Sequence, residues 1–227
     1  MGPLPCCATG GTHQTPPGHR LMTTLIVLAK QPRAGRVKTR LVPPLTYEQA
    51  AELAGAALLD TLDAVDGAPA TARVLAFDAD ARGWLRPGWR HVRQPAGGLD
   101  ARLVAAFAAV SGPAVLVGMD TPQLTAAQLR AFDPARFDAC LGPACDGGYW
   151  AIGFAEPELA GRAISGVPMS TDRTGEVQLG RLAALGLRVQ LLEPLTDVDT
   201  IDTAHEAAAG APATRFAAAL EDTLAAV

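Results

Sequence analysis

The sequence predicts an α/β fold, with one mostly parallel sheet and helices packed on both of its faces. Three observations carry this expectation. Short apolar runs alternate with stretches of helical period, the pattern of repeated strand–helix units. The chain has 227 residues, 49% hydrophobic and 19% charged, enough for one domain with a full core. Unusual polar clusters fall just after apolar runs, where the loops of a parallel sheet gather and ligands bind.

Residues 1–21 are rich in Pro, Gly and Thr and lack periodicity, so they are expected to be a disordered extension, with Met22 as an alternative start. Residues 22–227 are expected to form a single domain. Strands are predicted at 24–29, 73–77, 90–93, 114–118, 137–142, 149–154 and 187–192, most of them short apolar runs. Helices are predicted at 46–65, 99–110, 125–132, 175–185, 203–209 and 213–226. Thr46 with Gln49, and Thr125 with Gln128, fit the capping box that opens a helix. The Ala-rich terminal helix suits packing on the sheet or on a partner, which leaves oligomerisation open.

Composition excludes several functions. A net charge of -4 and a pI near 5.5 argue against a nucleic-acid surface. No apolar run reaches the roughly 18 residues of a membrane span. The cysteines at 6, 7, 140 and 145 form no metal-ligand spacing, so a reduced, cytoplasmic protein is expected. Of the 19 basic residues 17 are Arg, and the two Lys lie close together at 30 and 38; Asn is absent. A lysine kept in so Arg-rich a chain suits a compact charge on phosphate, or chance placement on a solvated loop.

The loop after the first strand holds Lys30, Arg33, Arg36, Lys38 and Arg40, interrupted by Pro32 and Gly35. So many cations repel one another unless an anion binds there, and Gly35 allows close approach of backbone to phosphate. The bland reading is an exposed basic loop. The loop is neither a Walker A motif nor a G-x-G-x-x-G fingerprint.

Asp120 ends the apolar run 114–118, a natural place for an Mg²⁺ ligand. Asp197 and Asp199 flank Val198, so in extended chain both face one side. One suits a second metal ligand; the other suits fixing the loop or capping the next helix. Asp146, followed by Gly147 and Gly148, suits contact with substrate or metal, or alternatively an Asx turn. Ser170 and Thr171 belong to a loop that suits either the acceptor side or a helix cap.

Together the stretches L-A-K-Q-P-R-A-G-R-V-K-T-R-L, G-G-L-D-A-R-L, G-M-D-T-P, L-G-P-A-C-D-G-G-Y-W-A-I-G and D-V-D-T, spread over 25–202, resemble those of the DUF2064 family. The family comprises bacterial glycosyltransferase-like proteins of the GT-A, nucleotide-diphospho-sugar transferase fold. More distantly the chain is similar to MobA-like nucleotidyltransferases and to phospholactate guanylyltransferase. The resemblance implies a three-layer sandwich, with a nucleotide bound near Lys30, Gly35, Arg36 and Lys38 and, from the middle motif, Gly98 and Arg102. It also implies a divalent metal, Mg²⁺ or Mn²⁺, on Asp120. The chain departs from the family around Leu99, where it has Gly98 and Asp100. At the late metal position many nucleotidyltransferases carry Asn, and this chain offers Asp197 or Asp199.

Three functions follow as expectations. In glycosyl transfer from a nucleotide sugar to a small-molecule acceptor, Asp120 and a late Asp hold the metal. Gly147, Gly148, Tyr149, Ser170 and Thr171 then face sugar or acceptor, and Asp146 is the leading candidate for a base. In nucleotidyl transfer a phosphorylated small molecule attacks an NTP, and Lys38 stabilises charge on the phosphates. The third is a non-catalytic nucleotide-binding protein.

Overall fold

The computed structural model describes residues 22–225, so the extension expected at 1–21 lies outside the described residues. One seven-stranded sheet forms the middle layer, in the order β3-β2-β1-β4-β6-β5-β7. The strands are β1 (Thr24–Ala29), β2 (Ala72–Phe77), β3 (Arg90–Arg93), β4 (Ala114–Val117), β5 (Ala139–Pro143), β6 (Tyr149–Phe154) and β7 (Val189–Leu191). β1 is parallel to β2 and β4, β2 to β3, and β5 to β7. The reversal lies at β6, antiparallel to both β4 and β5. Its cause is the short connection after β5, because a parallel crossover needs a dozen residues or more.

The helices are α1 (Tyr47–Asp66), α2 (Leu99–Ala108), α3 (Ala126–Leu129), α4 (Ala160–Ile164), α5 (Thr174–Ala184), α6 (Ile201–Gly210) and α7 (Arg215–Ala225). Both expected capping boxes are present, at Thr46 with Gln49 and Thr125 with Gln128. A further box, Thr200 with Thr203, opens α6. The sequence pattern extends α3 to residue 132, but the helix stops at Leu129. Pro134 lies just beyond, and a residue before proline avoids helical backbone.

Strand alternation distributes the core. Leu25, Val27 and Ala29 of β1 face a cluster with Leu58 and Leu62 of α1, while Ile26 faces Leu103 and Phe107 of α2 and Ala163 of α4. Phe107 and Phe154 meet edge to face at 5.1 Å, which anchors α2 on the sheet. A third cluster joins the outer side of α1, through Leu53 and Ala57, to Ala204 of α6 and to Phe216 and Leu220 of α7. The terminal helix thus covers α1 rather than the sheet. The first amides of α7 are capped from α1, with Arg215 N–H and Phe216 N–H donating to the Asp60 carboxylate at 3.0 and 2.8 Å. Among the described residues no helix is long and apolar enough to cross a membrane.

Candidate functional site

A cavity of about 700 Å³ opens at the carboxyl ends of β1 and β4, as the fold requires. One wall comes from the loop after β1 and the first turn of α2, and carries Lys30, Arg36, Lys38, Arg40 and Arg102. The other comes from the loop after β4, the β5–β6 turn, the segment before α5 and the chain after β7. It carries Asp120, Asp146, Gly148, Tyr149, Ser170, Thr171, Asp172, Asp197 and Asp199. Sequence-predicted residues separated by more than a hundred positions therefore share one cavity. Gly35, Gly98 and Gly147 stand off its wall: Gly35 and Gly147 have φ of 72° and 88°, and Gly98 precedes α2 as its cap.

The cations divide into two groups. Lys38 lies 2.5 Å from Asp120, its side chain only 7% exposed. It also donates to the Val198 carbonyl, and Arg40 pairs with Asp199. Lys30, Arg36 and Arg102 form no ion pair with any described residue; the Arg102 side chain donates to the Gly97 carbonyl at 3.2 Å. Three cationic side chains without a protein counter-charge at one cavity wall suit a polyanion.

The carboxylates are crowded. Burial, then the charge of Asp120, pushes Asp197 up to about 8, with Asp146 and Asp199 adding to the rise and Lys38 opposing it. The Val198 N–H donates to the Asp120 carbonyl at 3.0 Å and fixes the two segments side by side. Among the described residues, no group of three or more His, Cys, Asp or Glu side chains is arranged to hold a metal ion. Of the two late carboxylates, Asp199 is turned to Arg40. Asp120 with Asp197 still fits a hard divalent cation: Mg²⁺ takes one or two protein carboxylates and completes its shell with phosphate oxygens and water.

The turn at Asp146 is an Asx turn, its Oδ1 accepting from Gly148 N–H at 2.8 Å, and the same side chain lines the cavity. The turn abuts the start of α5, where Gly175 N–H donates to the Gly147 carbonyl at 2.8 Å. Beyond it, burial and then the charge of Asp100 push the Tyr149 phenol up, so it remains a donor, 3.7 Å from Met169 Sδ. Sequence reasoning missed several members of the wall. Gln94 is buried and ties β1 to β2 by donating to the Ala29 and Ala76 carbonyls, both at 2.8 Å. Met119 accepts from Lys30 N–H at 3.3 Å, and Leu28, Leu116 and Ile152 form an apolar floor. Met119 stands inside G-M-D-T-P and was available as a signal; Gln94 was not.

The model of the family described as "Uncharacterized protein conserved in bacteria (DUF2064)" matches residues 61–171. The match spans just under half of the chain. The matched segment contains Arg102, Asp120, Asp146, Tyr149 and Ser170, whereas the cationic loop and Asp197 lie to either side of it. No curated protein matches the chain in sequence. Among solved structures, a candidate nucleotide-diphospho-sugar transferase from Desulfovibrio desulfuricans G20 is 25% identical at a TM-score of 0.77, over 90% of this chain and 96% of that one. Rv0371c from Mycobacterium tuberculosis H37Rv, in complex with manganese, is 23% identical at 0.51, over 82% and 98%. The 2-C-methyl-D-erythritol 4-phosphate cytidylyltransferase from Thermus thermophilus is 19% identical at 0.52, over 83% and 97%. The fold is that of nucleotide-utilising transferases.

Proposed function

We propose that this protein is a divalent-metal-dependent transferase that takes a nucleotide sugar as donor and passes the glycosyl group to a small-molecule acceptor. The observation that carries the reading is the division of one cavity into a wall of uncompensated cations and a wall of crowded carboxylates. Lys30, Arg36 and Arg102 receive the diphosphate and neutralise the charge that grows on the departing nucleotide. Asp120 and Asp197 hold Mg²⁺ or Mn²⁺, which supplies Lewis-acid neutralisation of the same charge when bound. Tyr149, Ser170 and Thr171 offer hydroxyls to the sugar or acceptor. Asp146, its orientation fixed by the Gly148 N–H, is placed to take the acceptor's proton. The likeness to a candidate nucleotide-diphospho-sugar transferase supports this reading.

Nucleotidyl transfer is the second reading, favoured by the number of cations, since a triphosphate carries more charge than a nucleotide sugar, and by the fold shared with a cytidylyltransferase. One assay separates the two. The protein is incubated with Mg²⁺ or Mn²⁺ and panels of nucleotide sugars, NTPs and acceptors, and the leaving group is identified. Acceptor-dependent release of nucleoside diphosphate is the expected result. Pyrophosphate release that depends on a phosphorylated small molecule would refute glycosyl transfer.

A further inference from the structure

Lys38 stands where the proposed function puts a cation. Its ammonium is 2.5 Å from Asp120 Oδ1 and its side chain is 7% exposed. It also donates to the carbonyl of Val198, the residue between Asp197 and Asp199. Lys38 itself adopts left-handed backbone, φ 49° and ψ 35°, unusual for a residue with a side chain. The Leu41 N–H donates to its carbonyl at 3.0 Å and locks that turn, so the ammonium is aimed between the carboxylate segments by the fold itself.

We propose that the Lys38 ammonium is the resident counter-ion of the Asp120–Asp197 pair, and that a divalent cation competes with it for the same oxygens. Cation entry then releases Lys38 toward the phosphate wall of Lys30, Arg36 and Arg102. The inference rests on the metal and nucleotide reading above. Its physical basis is exclusion. An ammonium in contact with Asp120 and a doubly charged ion bound to the same oxygens would repel one another strongly at contact distance in a partly buried site. A lysine, a compact charge on a four-carbon stem, moves at little cost where a planar guanidinium would not.

Two consequences separate this role from plain phosphate binding. Metal without nucleotide must expel the ammonium with no phosphate to receive it, so metal and nucleotide reinforce one another's binding. Removing the Lys38 charge acts in opposite directions on the two ligands: it strengthens binding of the metal alone and weakens binding of the nucleotide.

The chain contains only two lysines, so their reactivity is separable by mass spectrometry of the full-length protein. Trace acetylation with acetic anhydride, with exposed Lys30 as internal reference, is expected to show Lys38 protected without metal. Saturating Mn²⁺ alone should raise the Lys38-to-Lys30 ratio several-fold. In parallel, free Mn²⁺ measured by electron paramagnetic resonance should show Lys38→Met binding the metal about tenfold tighter than wild type, the order of one charge-assisted contact. A ratio unmoved while Mn²⁺ binds wild type, or Mn²⁺ bound no tighter by a folded Lys38→Met, overturns the inference and leaves the transferase reading intact. If Lys38→Met fails to fold, the wild-type labelling decides alone. Absence of Mn²⁺ binding to either protein overturns both this inference and the metal in the proposed function.

Discussion

Replacing Gly147 by alanine tests how the carboxylate-bearing wall is built. Gly147 has φ 88°, and a Cβ there would lie 1.9 Å from the carbonyl oxygen of Asp172 and 2.5 Å from its carbon. A left-handed alanine costs roughly 1–2 kcal/mol. Relieving the contact requires the turn to withdraw by about an ångström, which breaks the hydrogen bond from Gly175 to the Gly147 carbonyl, worth about 1 kcal/mol. The sum is about 2–3 kcal/mol, or roughly 4–12 °C in Tm for a chain of this size. The matched control is Gly180, inside α5, where a Cβ meets nothing within 4 Å and φ is ordinary. Gly180→Ala should stabilise by up to about 1 kcal/mol. Urea unfolding followed by circular dichroism reads both variants. Gly147→Ala within about 0.5 kcal/mol of wild type, the ordinary scatter of neutral surface substitutions, would refute the argument that Gly147 is there for the close approach.

Phe154 is fully buried against Phe107, and Phe154→Ala should cost about 3–5 kcal/mol in a urea titration. Arg36 is exposed and forms no ion pair, so Arg36→Ala should weaken nucleotide binding about tenfold by calorimetry while leaving Tm almost unchanged. Asp120→Ala should abolish the metal dependence of nucleotide binding; unchanged metal dependence removes Asp120 from the metal site. The Arg188 guanidinium, helped by the Arg188 N–H, holds Asp138 down to about 2 from an ordinary 3.8. Its folded value lies below its unfolded one, so this pair's stabilisation is complete above pH about 4 and lost as pH falls toward about 2. Urea midpoints of Asp138→Asn should show less loss across that interval than wild type.

Legibility in the sequence followed range. β1, β3 and β6 appear at the predicted residues because alternation and flanking breakers are local signals, and the capping boxes at Thr46 and Thr125 are local as well. The direction of β6 was not legible, since a strand's period of two is the same read either way. α4, Ala160–Ile164, is too short to establish a helical period. The cationic loop and the acidic clusters were visible as compositions of short segments. Their pairing was not: Lys38 with Asp120 and Arg40 with Asp199 join residues far apart in the chain, and only the sheet order brings them together. For the same reason the sequence left Asp197 and Asp199 as equivalent candidates, since the partner of Asp199, Arg40, lies in the first loop.

Val198 belongs to two compartments at once. Its side chain is sealed in the cluster shared by α1, α6 and α7, while its carbonyl receives Lys38 and its neighbours are the two late carboxylates. The outer helices, none of whose residues lines the cavity, thereby hold the segment that carries those acids against its edge. The packing of the hidden face of α7 therefore reaches those carboxylates through Val198, although no residue of that helix lines the cavity.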